Sequence, residues 1–446
     1  MSCLQTGSIA KGYKQTEVGV LPTDWIVEPL DNFTSFISYG FTNPMPTVGS
    51  GPLMVTARDI NNGVIQSSSA RCTSLEAYEK YLSPKSKPKL NDILLTKDGT
   101  LGRLALVDKE GICINQSVAI LRPNKKIVPS FFKHLLESPY YQEKMLEDAG
   151  GSTIKHIYIT IVNKMLLGVP QSKDEQTAIA NALSDVDFLI SELEKLIAKK
   201  QVIKTATMQQ LLTGRTRLPA FALREDGTKK GYKKTELGEI PEDWDICILN
   251  DVINSLSSGA TPYRGNKDFY KGKNLWITSG ELKYGVINDT FEKISDEALK
   301  KSNLKIHPQG TFLMAITGLE AAGTRGSCGI VGRPAATNQS CMAIYPNEKL
   351  TSNYLFHWYT YNGDELALKY CQGTKQLSYT AGLLKTIPIF LPHNTCEQIA
   401  ISNILSDMDL EVLKLKTRLN KTRQVKQGMM QELLTGKTRL LKPESK

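Results

Sequence analysis

Between Asp174 and Thr213 the chain contains neither Gly nor Pro, and the apolar residues Ile179, Leu183, Val186, Ile190, Leu193 and Ile197 recur at steps of four and three. That spacing lays one apolar stripe along a helix, the seam of a coiled coil. The same steps return at Ile401, Leu405, Met408, Val412, Leu415 and Leu419. Both stripes are interrupted at equivalent places, by Lys200 and Lys204 in the first and by Thr422 and Lys426 in the second. Ser172 with Glu175, and Asn394 with Glu397, fit a capping box or its close relative at the helix starts. Gly214 and Gly436 stand where a left-handed residue would end each helix. Forty residues at 1.5 Å each make a rod of about 60 Å. A rod with one apolar stripe needs a partner, and its own duplicate supplies one.

The duplication extends beyond the helices. "KGYKQTEVGVLPTDW" (Lys11 to Trp25) returns as "KGYKKTELGEIPEDW" (Lys230 to Trp244), "EQTAIANALSDVD" from Glu175 as "EQIAISNILSDMD" from Glu397, and "MQQLLTGRTRL" from Met208 as "MQELLTGKTRL" from Met430. Between loop and helix, "INQSVAI" at Ile114 matches "TNQSCMAI" at Thr337, and "GTLGRLALV" at Gly99 resembles "GTRGSCGIV" at Gly323. Each repeat reads loop, globular segment, long helix. The interiors, 26–150 and 245–372, share little beyond these pieces, so one architecture presents two different surfaces. A two-fold related pair makes the helices antiparallel and puts the loop Lys11 to Trp25 beside the end of the second helix, which leaves the chain nearly circular.

Short β-rich runs ("ILLTK", "LALVD", "FLMAIT", "MAIYP") alternate with helical ones ("PSFFKHLLES" from Pro129, "TSNYLFHWYTYN" from Thr351) in the globular segments. The predicted fold class is α+β, with two globular domains joined by two long antiparallel coiled-coil helices in a pseudo-two-fold, circular arrangement. The predicted divisions are a loop repeat 1–25, a first globular domain 26–170, a central helix 171–218, a linker and second loop 219–244, a second globular domain 245–392, and a C-terminal helix and tail 393–446. Strand order is not legible.

Composition narrows the function. The 446 residues carry 55 Lys and Arg against 45 Asp and Glu, a net charge of +10, which suits a polyanionic partner. No apolar run approaches the roughly 18 residues of a membrane span, and the start lacks a secretory core, so a cytoplasmic protein without membrane contact is expected. Eight cysteines are scattered without a C-x-x-C pair, and the five histidines His134, His156, His307, His357 and His393 stand apart from one another and from the cysteines. This pattern signals neither a disulfide framework nor a metal site. Nucleotide-binding, zinc-protease and amino-methyltransferase signatures are absent. Glu281-Leu282-Lys283 matches half of a nuclease motif, a three-residue pattern that chance supplies often, and "GATPYRGNK" from Gly259 misses the P-loop spacing.

DNA binding has diffuse support. Lys97 and Arg103 flank Gly99 and Gly102, and Arg325 lies between Gly323 and Gly326. Glycine loops admit phosphates to the backbone, and arginine grips phosphate or the guanine edge. The alternative is a hairpin turn with solvated charges. Arg264, Lys267, Lys271 and Lys273 interleave with Tyr263, Tyr270 and Trp276, which fits a nucleic-acid face or a solvated loop. Asn115-Gln116 and Asn338-Gln339 read either as adenine contacts or as a buried hydrogen-bond pair that fixes the domain.

The frame resembles the specificity subunits of type I restriction-modification systems over almost the whole chain. The resemblance rests on the two "KGYK" openers ending in Asp-Trp, the runs Gly151 to Pro170 and Gly373 to Pro392, the "EQ" helix starts and the "LLTG(R/K)TRL" helix ends. It implies a subunit that is not an enzyme by itself and holds no cofactor. Two target recognition domains would each read half of a bipartite site in double-stranded DNA, held apart by the helices. It further implies two modification subunits that methylate adenine N6 from S-adenosylmethionine, and in a full complex two restriction subunits that use ATP and Mg. The competing expectation is a two-winged coiled-coil scaffold for proteins, without sequence-specific DNA recognition.

Overall fold

A computed structural model describes residues 9–147, 155–235, 238–320, 323–373 and 377–440; Cys3 and Gly151 lie outside them. The chain forms two compact units, one of residues 1–194 with 417–446 and one of residues 195–416. Each unit therefore combines a loop and a globular segment with the start of one long helix and the end of the other.

In the first unit an antiparallel sheet runs in the order Leu104–Leu106, Ile93–Thr96, Val118–Pro123, Thr34–Tyr39. Beside it lies a three-stranded sheet, Ile112–Ile114, Val48–Val55, Arg71–Cys72, whose first pair is parallel. The second unit repeats the plan. Its main sheet is Ile253–Ser258, Cys341–Pro346, Phe312–Ala315, Cys328–Val331 and Gly285–Ile287, and its smaller one is Lys293–Ile294, Asn274–Ile277, Ala335–Thr337. Divergent interiors thus share the order of four main-sheet strands and of the smaller sheet, and the second unit adds Gly285–Ile287 at one edge. The expected strands at Ile93, Leu104, Phe312 and Met342 form, as do the helices Pro129–Glu137 and Ser352–Tyr370. A strand leading into each long helix, Leu166–Pro170 or Pro388–Pro392, pairs with the one after each loop, Trp25–Pro29 or Trp244–Ile248.

The long helices span Lys173–Leu212 and Thr395–Leu433. Of the seam residues, Leu183, Leu193, Ile197, Leu405, Val412 and Leu419 are buried, while Val186, Ile190, Met408 and Leu415 are half-buried. Within the first unit Asp187 pairs with Lys426 at 2.6 Å and Glu194 with Arg423 at 2.5 Å. Within the second, Lys200 pairs with Glu411 at 2.7 Å and Lys204 with Asp409. In both units the residue number rises along one helix as it falls along the other. The lysines that interrupt the seams are therefore ion-pair partners of the facing helix.

Behind these lysines each unit repeats a buried histidine. His134 Nε2 meets Ser184 Oγ at 3.0 Å, and His357 Nε2 meets Ser406 Oγ at 2.9 Å. Both tie the globular segment's helix to a long helix. Burial, with the charge of Lys204, brings the His357 pKa down to about 4. Ligand atoms of His134, Glu137 and Asp187 lie within 4.8 Å of one another. Lys133, 3.1 Å from Glu137, and Lys426 already supply two countercharges to the two carboxylates, so the cluster is neutral without an ion.

The repeated loop closes each unit through one arginine. Arg217 of the "TGRTR" helix end binds Asp243 of the second opener, with Nη1 2.7 Å from Oδ1, and Glu397 of the second "EQ" start, with Nη2 2.8 Å from Oε2. Arg439 does the same with Asp24 at 2.8 Å and Glu175 at 2.7 Å. Tyr13 and Tyr232 each donate a hydroxyl to the carbonyl of the glycine that ends a long helix, Gly436 at 2.9 Å and Gly214 at 3.1 Å. Those glycines adopt φ of +66° and +69°, and a Cβ on either would meet a proline of the loop at 2.5 Å. The N-terminal loop thus lies against the end of the second helix.

The capping box is only half made. Ser172 Oγ accepts from Glu175 N at 3.3 Å and Asn394 Oδ1 from Cys396 N at 2.8 Å. Both glutamates turn away to arginine, because a bidentate charged partner outcompetes a backbone N–H.

Burial works to raise the Asp243 pKa, but the hydrogen bonds and charges of Arg217 and Lys230 overcome it and bring it down to about 2, from an ordinary 3.8. A depressed carboxylate contributes stability above its unfolded pKa and loses it as the pH falls toward the folded value. The melting temperature of Asp243→Asn should lie below that of the parent near neutral pH and converge on it as the pH falls from about 4 to 2. Parallel curves for the two proteins over that range would contradict this role.

Candidate nucleic-acid interface

One turn recurs in both globular segments on a common base. In the first, the 3-10 turn Ala57–Asp59 is closed by Asp59 Oδ2, which accepts from Thr56 N at 2.9 Å and Thr56 Oγ1 at 2.7 Å. Asp59 Oδ1 also accepts from Ser69 Oγ at 2.7 Å. In the second, Glu281 Oε2 accepts from Thr278 N and Oγ1, both at 2.8 Å, and closes the turn Ser279–Glu281. Glu281 Oε1 accepts from Phe291 N at 2.9 Å. The glutamate of the Glu-x-Lys triplet is thus committed to holding a turn. Each turn follows from a match, "LMVTARDINNGVI" at Leu53 against "LWITSGELKYGVI" at Leu275, displaced by the 222 positions of the helix repeat.

The Asn-Gln-Ser pieces sit beside these turns. Asn115 Oδ1 accepts from Ser117 N and Oγ at 3.2 and 2.6 Å, and Asn338 Oδ1 from Ser340 N at 3.1 Å. Ser117 Oγ in turn accepts from Ala57 N at 3.1 Å. The Oδ1 atoms of both asparagines are thus engaged by their own loops, while Gln116 and Gln339 are exposed. Gly40 and Gly259 cross close by: a Cβ on either would stand 1.8 Å from the carbonyl oxygen of Ile114 or Thr337. The glycine of "GATPYRGNK" therefore serves backbone packing.

The five candidate cations differ in how far their own fold already engages them. Lys97 is mostly buried, 2.8 Å from Asp98 and 5.5 Å from the Tyr39 ring centre. Partial burial opposes ionisation of Asp98, yet hydrogen bonds from His156 and Lys97 keep its pKa below the usual value. Arg103 donates to Ile60 O at 3.1 Å and lines a cleft of about 720 Å³ with Lys133, Arg423 and Lys426. Arg264 is exposed, forked onto Glu292 at 2.6 and 2.9 Å, and stacked 4.3 Å from Tyr270 and 5.2 Å from Trp276. Lys267 is exposed on the turn Lys267–Tyr270. Arg325 is held by Asp364 at 2.8 Å and donates to Glu320 O at 3.0 Å.

A second cleft of the first unit, about 740 Å³, is lined by two arginines not singled out above, Arg58 and Arg71, with Thr47, Ser69, Thr100 and Asn115. Arg58 is the tip of the first turn, and both arginines are exposed. The signal for Arg58 lay in the overlooked repeat, where the base matches and the tip does not.

The family described as "Type I restriction modification DNA specificity domain" matches residues 47–205 and 241–424, well over half of the chain, and the protein belongs to it. The type I restriction enzyme MjaVIII specificity subunit of Methanocaldococcus jannaschii is 27% identical over 358 residues, which cover 78% of this chain and 80% of that one. A putative type I restriction enzyme specificity subunit of the same organism, MjaX, is 25% identical over 96% of this chain and 97% of its own. The fold is similar to that of the type I restriction-modification S subunit from M. genitalium, with a TM-score of 0.60 and 16% identity over 92% of this chain and 96% of that one. Among the described residues no helix is long and apolar enough to cross a membrane.

Proposed function

We propose that this chain is the non-catalytic specificity subunit of a type I restriction-modification complex, reading a bipartite site in double-stranded DNA. The segments 26–170 and 245–392 act as target recognition domains, one for each half-site. The observation that carries this reading is the shared turn: one rigid base, made of Thr56 and Asp59 or Thr278 and Glu281, holds different tip residues in the two domains. Membership of the DNA specificity family favours this reading of the difference over a protein-binding scaffold. Lys267, exposed, supplies a contact of the second domain, whereas Arg264, forked onto Glu292, shapes its loop as Lys97, Arg103 and Arg325 shape theirs.

The two long helices pair antiparallel as a coiled coil and set the unread gap between the half-sites. The antiparallel ion pairs inside each unit support this. Two modification subunits carry S-adenosylmethionine and methylate adenine N6, and restriction subunits, where present, carry ATP and Mg.

Co-expression with a type I modification subunit, followed by genome-wide mapping of N6-methyladenine, tests this. The expected result is a split motif with a fixed gap that disappears when only this chain is removed. Methylation indifferent to the chain, together with DNA binding whose affinity barely responds to salt, would instead indicate the scaffold, because phosphate contacts make log K fall with log salt.

A further inference from the structure

We propose that the first unit reads guanine in its half-site through Arg58 and Arg71, in the cleft between the turn Ala57–Asp59 and the loop at Gly99. This deepens the DNA-specificity reading and rests on it.

Three observations lead there. The first is the state of the arginines. Arg103, Arg122, Arg264 and Arg325 are all occupied by carboxylates or carbonyls of their own unit. Arg58 and Arg71 are exposed at the cleft, and among the described residues neither makes an ion pair. The same cleft is lined by Asp59 and Asp98, but both are engaged by their own fold, Asp59 by Thr56 and Ser69 and Asp98 by Lys97 and His156, which leaves the two guanidiniums as the charged groups open to a ligand.

The second is rigidity. Arg58 rides on a turn closed by Asp59 and tied through Ala57 N to Ser117 and Asn115. Arg71 lies on the edge strand Arg71–Cys72 and pairs with Met54 of the strand Val48–Val55, next to a register shift at Cys72. A short, fixed base reduces the conformational entropy lost when a side chain engages a ligand.

The third is the internal control that the duplication provides. At the equivalent positions the second unit has Gly280 and Lys293, and Lys293 is paired with Asp289 at 2.9 Å. Phosphate looks the same in both half-sites, so a phosphate grip has no reason to change between copies built on one base. A residue that reads bases must change when the half-sites differ. Arginine matches guanine O6 and N7 in the major groove with two parallel hydrogen bonds, while the lining hydroxyls of Thr47 and Thr100 can serve neighbouring base edges.

The experiment uses the full chain, co-expressed with its modification subunit, as wild type and as Arg58→Ala, Arg71→Ala and Arg58→Lys. N6-methyladenine mapping gives the motif, and competition between duplexes gives discrimination at each position. Wild type should yield a split motif with guanine in one half. Arg58→Ala and Arg71→Ala should each lose that requirement at one position, with discrimination down about tenfold or more, and leave the gap and the other half unchanged. Arg58→Lys should keep affinity better than discrimination, since lysine keeps the charge without the fork.

Both sites are exposed, so the variants should melt like the parent. If either alanine variant melts lower, Arg58→Lys carries the test. An unchanged motif overturns the inference. So does a uniform loss of affinity with a shallower salt dependence, which marks a phosphate grip. If wild type gives no chain-dependent split motif, the specificity reading itself fails, an outcome distinct from a wild-type motif that the variants leave intact.

Discussion

Adding seven residues to each long helix, after Lys195 and after the equivalent Thr417, should widen the unread gap in the DNA site by about 3 base pairs. Seven residues lengthen a helix by about 10.5 Å, and duplex DNA rises about 3.4 Å per base pair. A heptad also returns the apolar seam to its own phase, so Leu183, Leu193, Leu405 and Leu419 keep their burial. The rotations do not match as well as the lengths. Seven residues fall about 20° short of two helical turns, whereas three base pairs turn the half-site by about 105°. The lengthened protein should therefore methylate more slowly while shifting its motif, and the methylome reads both quantities. An active variant that keeps the parental gap would remove the helices from the role of ruler.

What was legible in the sequence is what two copies repeat locally. The seam residues, the left-handed Gly214 and Gly436, and the helices from Pro129 and Thr351 depend on neighbours within a few positions, so periodicity and capping chemistry suffice. Strand order depends on pairings such as Val48–Val55 with Ile112–Ile114, far apart in the chain, and no local signal encodes it. The arginine closures fall between these cases. Asp24, Glu175 and Arg439, like Asp243, Glu397 and Arg217, all stand inside quoted repeats, and their charges are complementary. Recurrence of the same three charged residues was a readable sign that they meet. The interface was harder, because basic composition cannot tell a cation held by its own fold from one left for a ligand. Lys97 and Arg325 are paired with Asp98 and Asp364, partners that basic composition does not reveal, whereas Arg58 stands in a loop without other basic residues.

The division of labour inside each unit follows from that contrast. Buried polar groups bonded across elements sit where the two copies agree: at the arginine closures, at the histidine–serine contacts and in the glutamine pegs. Gln176 Nε2 donates to Pro170 O at 2.8 Å while its Oε1 accepts from Val128 N at 2.7 Å. Gln398 repeats this with Pro392 O and Thr351 N, both at 3.0 Å. A buried amide bonded on both ends fixes orientation, since any other placement strands polar atoms away from water. Where the copies disagree at the shared turn, Arg58 against Gly280, the tip is exposed and Arg58 makes no ion pair among the described residues. The frame can therefore stay constant in geometry while the tips change what they bind.

The strictness of that frame sets the size of the second effect. Arg217→Ala should destabilise the second unit by about 3–5 kcal/mol, the cost of leaving one partner of a buried ion pair uncompensated. Arg217 is 7% exposed and Glu397 2% exposed, so water cannot replace the guanidinium beside Glu397. Asp243, at 33% exposed, can be rehydrated and keeps Lys230 at 2.8 Å. The loss should therefore be governed by Glu397, and the double variant Arg217→Ala/Glu397→Gln should recover part of it, a coupling that a double-mutant cycle measures. Arg217→Lys should fall between parent and alanine, because one ammonium cannot span both carboxylates as the planar fork does. Denaturant titration followed by tryptophan fluorescence in a Trp25→Phe background, which leaves Trp244, Trp276 and Trp358, reports on this unit. A midpoint for Arg217→Ala within error of the parent, or no recovery in the double variant, would show that the closure carries little of the unit's stability.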